Sequence, residues 1–145
     1  MTLVPSQFYD DACAREYLAQ VVDIAPDAEV KSVFLPIYDA YFVYEGEKEP
    51  ALLELLRKLP TLADYNKVLC HWDGQRLSLC IAQGKSLSLA NTYAANDFVT
   101  VMYFILLALK SLYLNPEIST VCFVTPLTQE QKVSLFRYFK SVSSL

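Results

Sequence analysis

Only three glycines and one histidine occur among the 145 residues. Each scarcity excludes something. Loops that cradle phosphates need several glycines, so that backbone amides can approach the anion closely. A general nucleic-acid surface needs excess positive charge, but 12 Lys and Arg face 16 Asp and Glu for a net −4. The cysteines Cys13, Cys70, Cys80 and Cys122 are scattered without a C-x-x-C pair, so neither a zinc site nor a redox motif is indicated. They read as small hydrophobes in a reducing compartment. The longest apolar stretch, Phe98–Leu109 before Lys110, falls short of the ~20 residues of a bilayer-spanning helix. The start, Met1-Thr2-Leu3-Val4-Pro5, lacks the basic opening and apolar run of a secretory leader. A cytoplasmic protein without a membrane span is expected.

Apolar residues are abundant, at 54%, with ten Tyr and eight Phe. A chain so apolar can offset its ordering entropy, which excludes disorder. Thr2–Val4 reads as a short strand, followed by a helix over Gln7–Val21 with Ser6 as its N-cap. Val30–Leu35 and Ala40–Glu45 read as strands around Pro36. Pro50 opens a helix over Ala51–Lys58, at a position where its missing N–H is harmless. Leu59–Tyr65 is a connector and the boundary between a part at residues 1–60 and another at 66–145.

The second part is richer in signals. Asp73-Gly74 joins strands Lys67–Trp72 and Gln75–Ala82. That turn places Cys70 opposite Leu77 and Val68 opposite Leu79. Val68, Cys70, Trp72, Leu77, Leu79 and Ile81 then share one face, and Lys67, His71, Arg76 and Ser78 the other. A three-residue turn at Gln83-Gly84-Lys85 leads to strand Ser86–Thr92, with Leu87 and Leu89 on the apolar face. Asn96 is read as the cap of a helix over Asp97–Leu112, apolar nearly all round and so expected to be covered on most sides, ending at Asn115-Pro116. Thr120–Val124 reads as a central strand buried on both faces. Thr128 and Gln131 form a capping box for a final helix with Val133, Phe136 and Phe139 inside. Ser141–Ser144 reads as a soft tail.

This order, β-β-β-α-β-α with the fourth strand parallel to the first, is that of a ribonuclease H-like unit with a mixed sheet in an α/β protein. Leu3-Val4-Pro5-Ser6 before a helix mirrors Phe123–Pro126 before the last one. The chain is therefore expected to begin with the closing part of a first such unit, and actin-like ATPase folds contain two.

On Leu3-Val4-Pro5-Ser6-Gln7-Phe8, Asp73-Gly74-Gln75-Arg76-Leu77, Gly84-Lys85-Ser86-Leu87, Asn91-Thr92-Tyr93-Ala94-Ala95-Asn96-Asp97-Phe98 and Tyr113-Leu114-Asn115-Pro116, the sequence resembles an uncharacterised bacterial family. That family, a domain of unknown function found mainly in Bacteroidota, has an actin-like ATPase, ribonuclease H-like fold. More distantly, the second half is similar to actin-like proteins of type IV pilus assembly. The resemblance implies a truncated actin-like chain lacking an N-terminal β-meander, and it implies no activity.

The residues bear on function as follows. A phosphate-binding hairpin of the actin-like kind would fall at Asp73 and Gly74, the candidate nucleotide-binding residues. One Asp, one Gly and a tight turn disfavour ATP. A two-metal nuclease needs clustered carboxylates, and neither Lys67–Trp72, Phe98–Leu112 nor Thr120–Val124 contains an acid. His71 has only Asp73 beside it for acid–base work. No catalytic residue, metal site or cofactor is assigned. Tyr38, Tyr41 and Tyr44 are the candidate interface residues, because tyrosine combines contact area with a polar tip. The expected role is an interaction or scaffold module that binds a protein partner or itself, with a nucleotide-binding ATPase-type protein as the alternative.

Overall fold

Residues 1–144 are described by a computed structural model, in which the chain divides into two units, Met1–Leu53 and Glu54–Leu145. In the first, β1 (Thr2–Pro5), α1 (Ala14–Ala19), β2 (Val30–Leu35) and β3 (Ala40–Glu45) surround a small core. The sheet order is β1-β3-β2, with both pairings antiparallel. The partner that β1 requires is thus β3. Val4, Leu18 and Val43 are buried together, with Tyr9, Tyr17, Ile24 and Val30 packed around them.

The expected helix over Gln7–Val21 is much shorter. Two 3-10 turns, Ser6–Phe8 and Asp11–Cys13, precede α1. Asp10 is extended (φ −133°, ψ 122°), and its carboxylate accepts the Ala12 N–H. An acidic side chain that bonds a nearby backbone amide competes with helix propagation. Ser6 caps nothing; its hydroxyl donates to the Asp39 carboxylate at 2.6 Å. The strands β2 and β3 and the helix α2 (Ala51–Lys58) have the expected limits.

The second unit is a five-stranded sheet of order β6-β5-β4-β7-β8. Its strands are β4 (Asn66–Trp72), β5 (Arg76–Gln83), β6 (Ser86–Ala94), β7 (Thr120–Phe123) and β8 (Ser141–Ser144), with α3 (Phe98–Ser111) and α4 (Gln129–Phe136) between them. β7 lies parallel to β4, from Lys67↔Thr120 to Cys70↔Phe123, as the crossover through α3 requires. The core joins Val68, Cys70, Leu77, Leu79 and Ile81 of the hairpin to Val121, Phe123, Ile105 and Leu109. On the opposite sheet face Lys67 is buried, and its ammonium donates to the Leu62 carbonyl at 3.0 Å.

Several local expectations are corrected. The first hairpin pairs Cys70 with Leu79 and Val68 with Ile81, a slip of two residues on β5. The turn is centred on Gly74-Gln75, with Asp73 flanking it: Gly74 has φ +94° and Gln75 has no positive φ, the II′ pattern. Because the slip is even, every side chain keeps its expected face. At the second hairpin Gln83 pairs with Ser86, and an irregularity between Ile81 and Ala82 accommodates one extra residue of β6. Leu89 therefore joins the core, whereas Leu87 pairs with Ala82 of the other face.

Asp97, one residue later than expected, caps α3 by accepting the Thr100 N–H at 2.7 Å. Asn115-Pro116 is not what stops the helix. Tyr113 adopts φ +57° while Leu114 N–H bonds to Leu109 O and Tyr113 N–H to Lys110 O, at 2.9 and 3.1 Å. This is a Schellman stop with tyrosine at the position usually held by glycine.

The Thr128–Gln131 capping box is present, but the inner side chains are Leu135 and Phe139, while Val133 and Phe136 are exposed. α4 ends at Phe136, and Phe139 returns to the core from the following turn, its N–H on Leu135 O at 3.0 Å. Ser141–Ser144, expected to be a tail, pairs in parallel with β7.

Candidate interaction surface

α3 is built from twelve consecutive residues without a charge, Phe98–Leu109. Val101, Ile105, Ala108 and Leu109 face inward and are buried. The expected cover on most sides is not found. Val99 is 80% exposed, Tyr103 59% and Leu107 45%. These three stand at i, i+4 and i+8, so they form one row along the outer side of the helix. In a layered unit a helix meets its sheet on one side only, and the far side stays uncovered unless another layer is added.

Aromatic contacts hold the helix that carries the row. Tyr93 stacks on Phe104 at 4.6 Å and Tyr103 meets the same ring edge-on at 5.5 Å. Trp72 packs on Phe98 at 5.8 Å, and its indole N–H donates to Ala95 O at 2.9 Å just before the helix. At the N-terminal end an open cleft of about 380 Å³ lies between Phe98, Val99 and Met102 of α3 and Glu130, Gln131 and Ser134 of α4. Backbone and hydroxyl hydrogen bonds from Thr100 hold the Asp97 carboxyl below the usual carboxylate range. It therefore stays ionised at the positive end of the helix. Lys110 is exposed near the other end.

The residues singled out from sequence lie elsewhere. Asp73 turns its carboxylate on its own hairpin, accepting the N–H groups of Gln75 and Arg76 at 2.9 and 2.8 Å. Those bonds, Arg76 first, lower its pKa. A Cβ added at Gly74 would meet nothing within 4 Å. His71 is half-buried on β4.

The three tyrosines do not share a face. Tyr44 is buried beside Phe42. Tyr41, on the alternate side of β3, stacks on Tyr9 at 3.8 Å with an 11° tilt and contacts Phe34. Tyr38 lies in the turn before β3, half-exposed. Val99, Tyr103 and Leu107 were legible only as core. The available signal was the tyrosine at the middle of an otherwise aliphatic row.

Among the described residues no three His, Cys, Asp or Glu side chains are placed to hold a metal ion, and no helix is long and apolar enough to cross a membrane. No curated protein matches the chain. Its fold is similar to a crystal structure from Bacteroides thetaiotaomicron VPI-5482, described as a protein with actin-like ATPase fold and unknown function. The TM-score is 0.80 at 15% identity, over 99% of this chain and 64% of the other. This chain thus spans under two thirds of that protein's length, and the likeness identifies the fold as actin-like. Residues 47–142 match the family model described as protein of unknown function (DUF3822), and the chain belongs to that family.

Proposed function

We propose that this chain is a non-catalytic interaction or scaffold module of actin-like, ribonuclease H-like fold, which receives a protein with an apolar surface on the outer side of α3. The observation that carries this reading is the exposed row Val99, Tyr103 and Leu107 on a helix whose inner side is locked into the core. Exposed apolar surface is costly to keep in water, and a contiguous patch marks interaction sites. The four free thiols support a cytoplasmic setting. The net charge of −4 supports a partner other than nucleic acid.

A second reading, nucleotide binding at the Asp73-Gly74 turn, is favoured by the likeness to a structure of unknown function with an actin-like ATPase fold. Against it, both hydrogen bonds that Asp73 Oδ1 accepts close its own turn. Thermal unfolding with and without millimolar Mg–ATP separates the two. The midpoint is expected not to move. A rise of several degrees would replace the interaction reading with the nucleotide one, because a ligand bound only to the folded state raises its stability.

A further inference from the structure

We infer that the outer side of α3 pairs with α3 of a second copy of this chain, the two helices antiparallel and Tyr103 on the two-fold axis. This deepens the proposal above and rests on it. A two-fold contact must be self-complementary: whatever one copy presents at a distance from the axis, the other must accept there. The row meets that demand. Val99 and Leu107 lie four positions either side of Tyr103, so each valine meets the partner's leucine and the two phenol rings meet each other. The cleft between α3 and α4 adjoins Val99, on the side where the incoming leucine arrives.

Charge selects the direction. Asp97 and Lys110 lie six and seven positions out from Tyr103, on opposite sides. An antiparallel pair sets each carboxylate level, along the helix axis, with an ammonium of the other copy. A parallel pair would set carboxylate against carboxylate and ammonium against ammonium. The helix dipoles favour the same choice. Between the two ends α3 itself carries no charged residue, so the helix-to-helix contact buries no ion of its own, and Glu130 stands at the cleft beside it.

Sedimentation equilibrium of the full chain over a wide concentration range tests the association, and cysteine cross-linking tests its register. In a Cys13→Ser background, Tyr103→Cys treated with diamide is expected to form a covalent dimer with itself. Helix axes ~8–10 Å apart bring facing Cα atoms within disulfide reach, and only at the axis position does a residue face its own copy. Val99→Cys is expected to cross-link efficiently only when mixed with Leu107→Cys. Tyr103→Glu should be monomeric with an unchanged circular dichroism spectrum. Lys110→Glu should weaken association about tenfold, because two end pairs turn repulsive. A wild-type chain at monomer mass throughout overturns the self-pairing, and so does self-cross-linking of Val99→Cys as readily as the mixture. The Mg–ATP midpoint shift is independent of oligomeric state, so it tests the parent reading separately.

Discussion

The two units solve the same problem differently. One cluster in the second gathers fourteen buried residues from its strands, helices and connecting segments, whereas the cluster around α1 in the first closes on Val4, Leu18 and Val43, with Phe42 and Tyr44 buried on the other side of β3. The smaller unit compensates with polar ties. The Tyr9 hydroxyl donates to the Asp11 carboxylate at 2.7 Å and lies 2.6 Å from the Ser32 hydroxyl. The Tyr17 hydroxyl donates to Phe8 O at 2.9 Å and accepts from Asp10 N–H at 3.1 Å. Arg15 binds the carbonyls of Ala25 and Ala28 at 2.7 and 2.8 Å, gathering the segment before β2. A few well-placed hydrogen bonds fix a shape, but each contributes only ~1 kcal/mol net. Bulk apolar burial contributes more per residue. The first unit should therefore be the more readily opened.

The largest expected effect is in the second unit. Phe123 is fully buried, and Phe123→Ala should cost about 3–5 kcal/mol in urea unfolding. A loss below ~1 kcal/mol would mean that this core is looser than its burial implies. In the first unit Tyr9→Phe keeps the stack on Tyr41 but removes the hydroxyl, and should cost about 1 kcal/mol. Hydrogen exchange should quicken in β2 and β3 while β4 and β5 stay protected; equal loss in both would erase the contrast.

Tyr113→Gly has the opposite sign. It relieves a left-handed tyrosine that is 97% exposed and should stabilise by about 0.5–1 kcal/mol, read as a raised Tm.

The smallest effect is with pH. Asp97 titrates below its ordinary 3.8 when folded. Its contribution is thus complete above that value and fades as pH falls through the lower, folded pKa. Asp97→Asn keeps a cap acceptor without the charge, and should flatten the fall of Tm below about pH 4.

What could be read from sequence follows from how local each signal is. The Thr128–Gln131 box, Pro50 before α2 and the β-branched run of β7 are complete within a few residues, and the structure agrees. The hairpin at Asp73-Gly74 was legible as a hairpin but not in its register. Asp73 serves as acceptor for the turn amides from a flanking position, and nothing nearby announces that. The start of α1 was misread because apolar spacing cannot show that Asp10 will break the helix by bonding Ala12. β8 was illegible for another reason: Ser-Val-Ser-Ser has almost no apolar alternation, and its strand character comes from the backbone groups that β7 offers. The exposed row on α3 was illegible at the level of the unit. When every position of a helix is apolar, periodicity cannot say which side its neighbours leave bare. For the nucleotide candidates, composition anticipated the tightness of the turn; the orientation of the Asp73 carboxylate needed three dimensions.

The sulfur atoms sort between the units as well. Cys70, Cys80 and Cys122 are buried in the second, and burial pushes the Cys80 thiol to about 12 and Cys70 well above its ordinary value. Cys13, in the first, is only half-buried. Alkylation proceeds through the thiolate, so a maleimide added to the native chain should mark Cys13 first and the other three only as fast as their surroundings unfold. The protein thus carries its own stopwatch for the second unit, with Cys13 to mark the start.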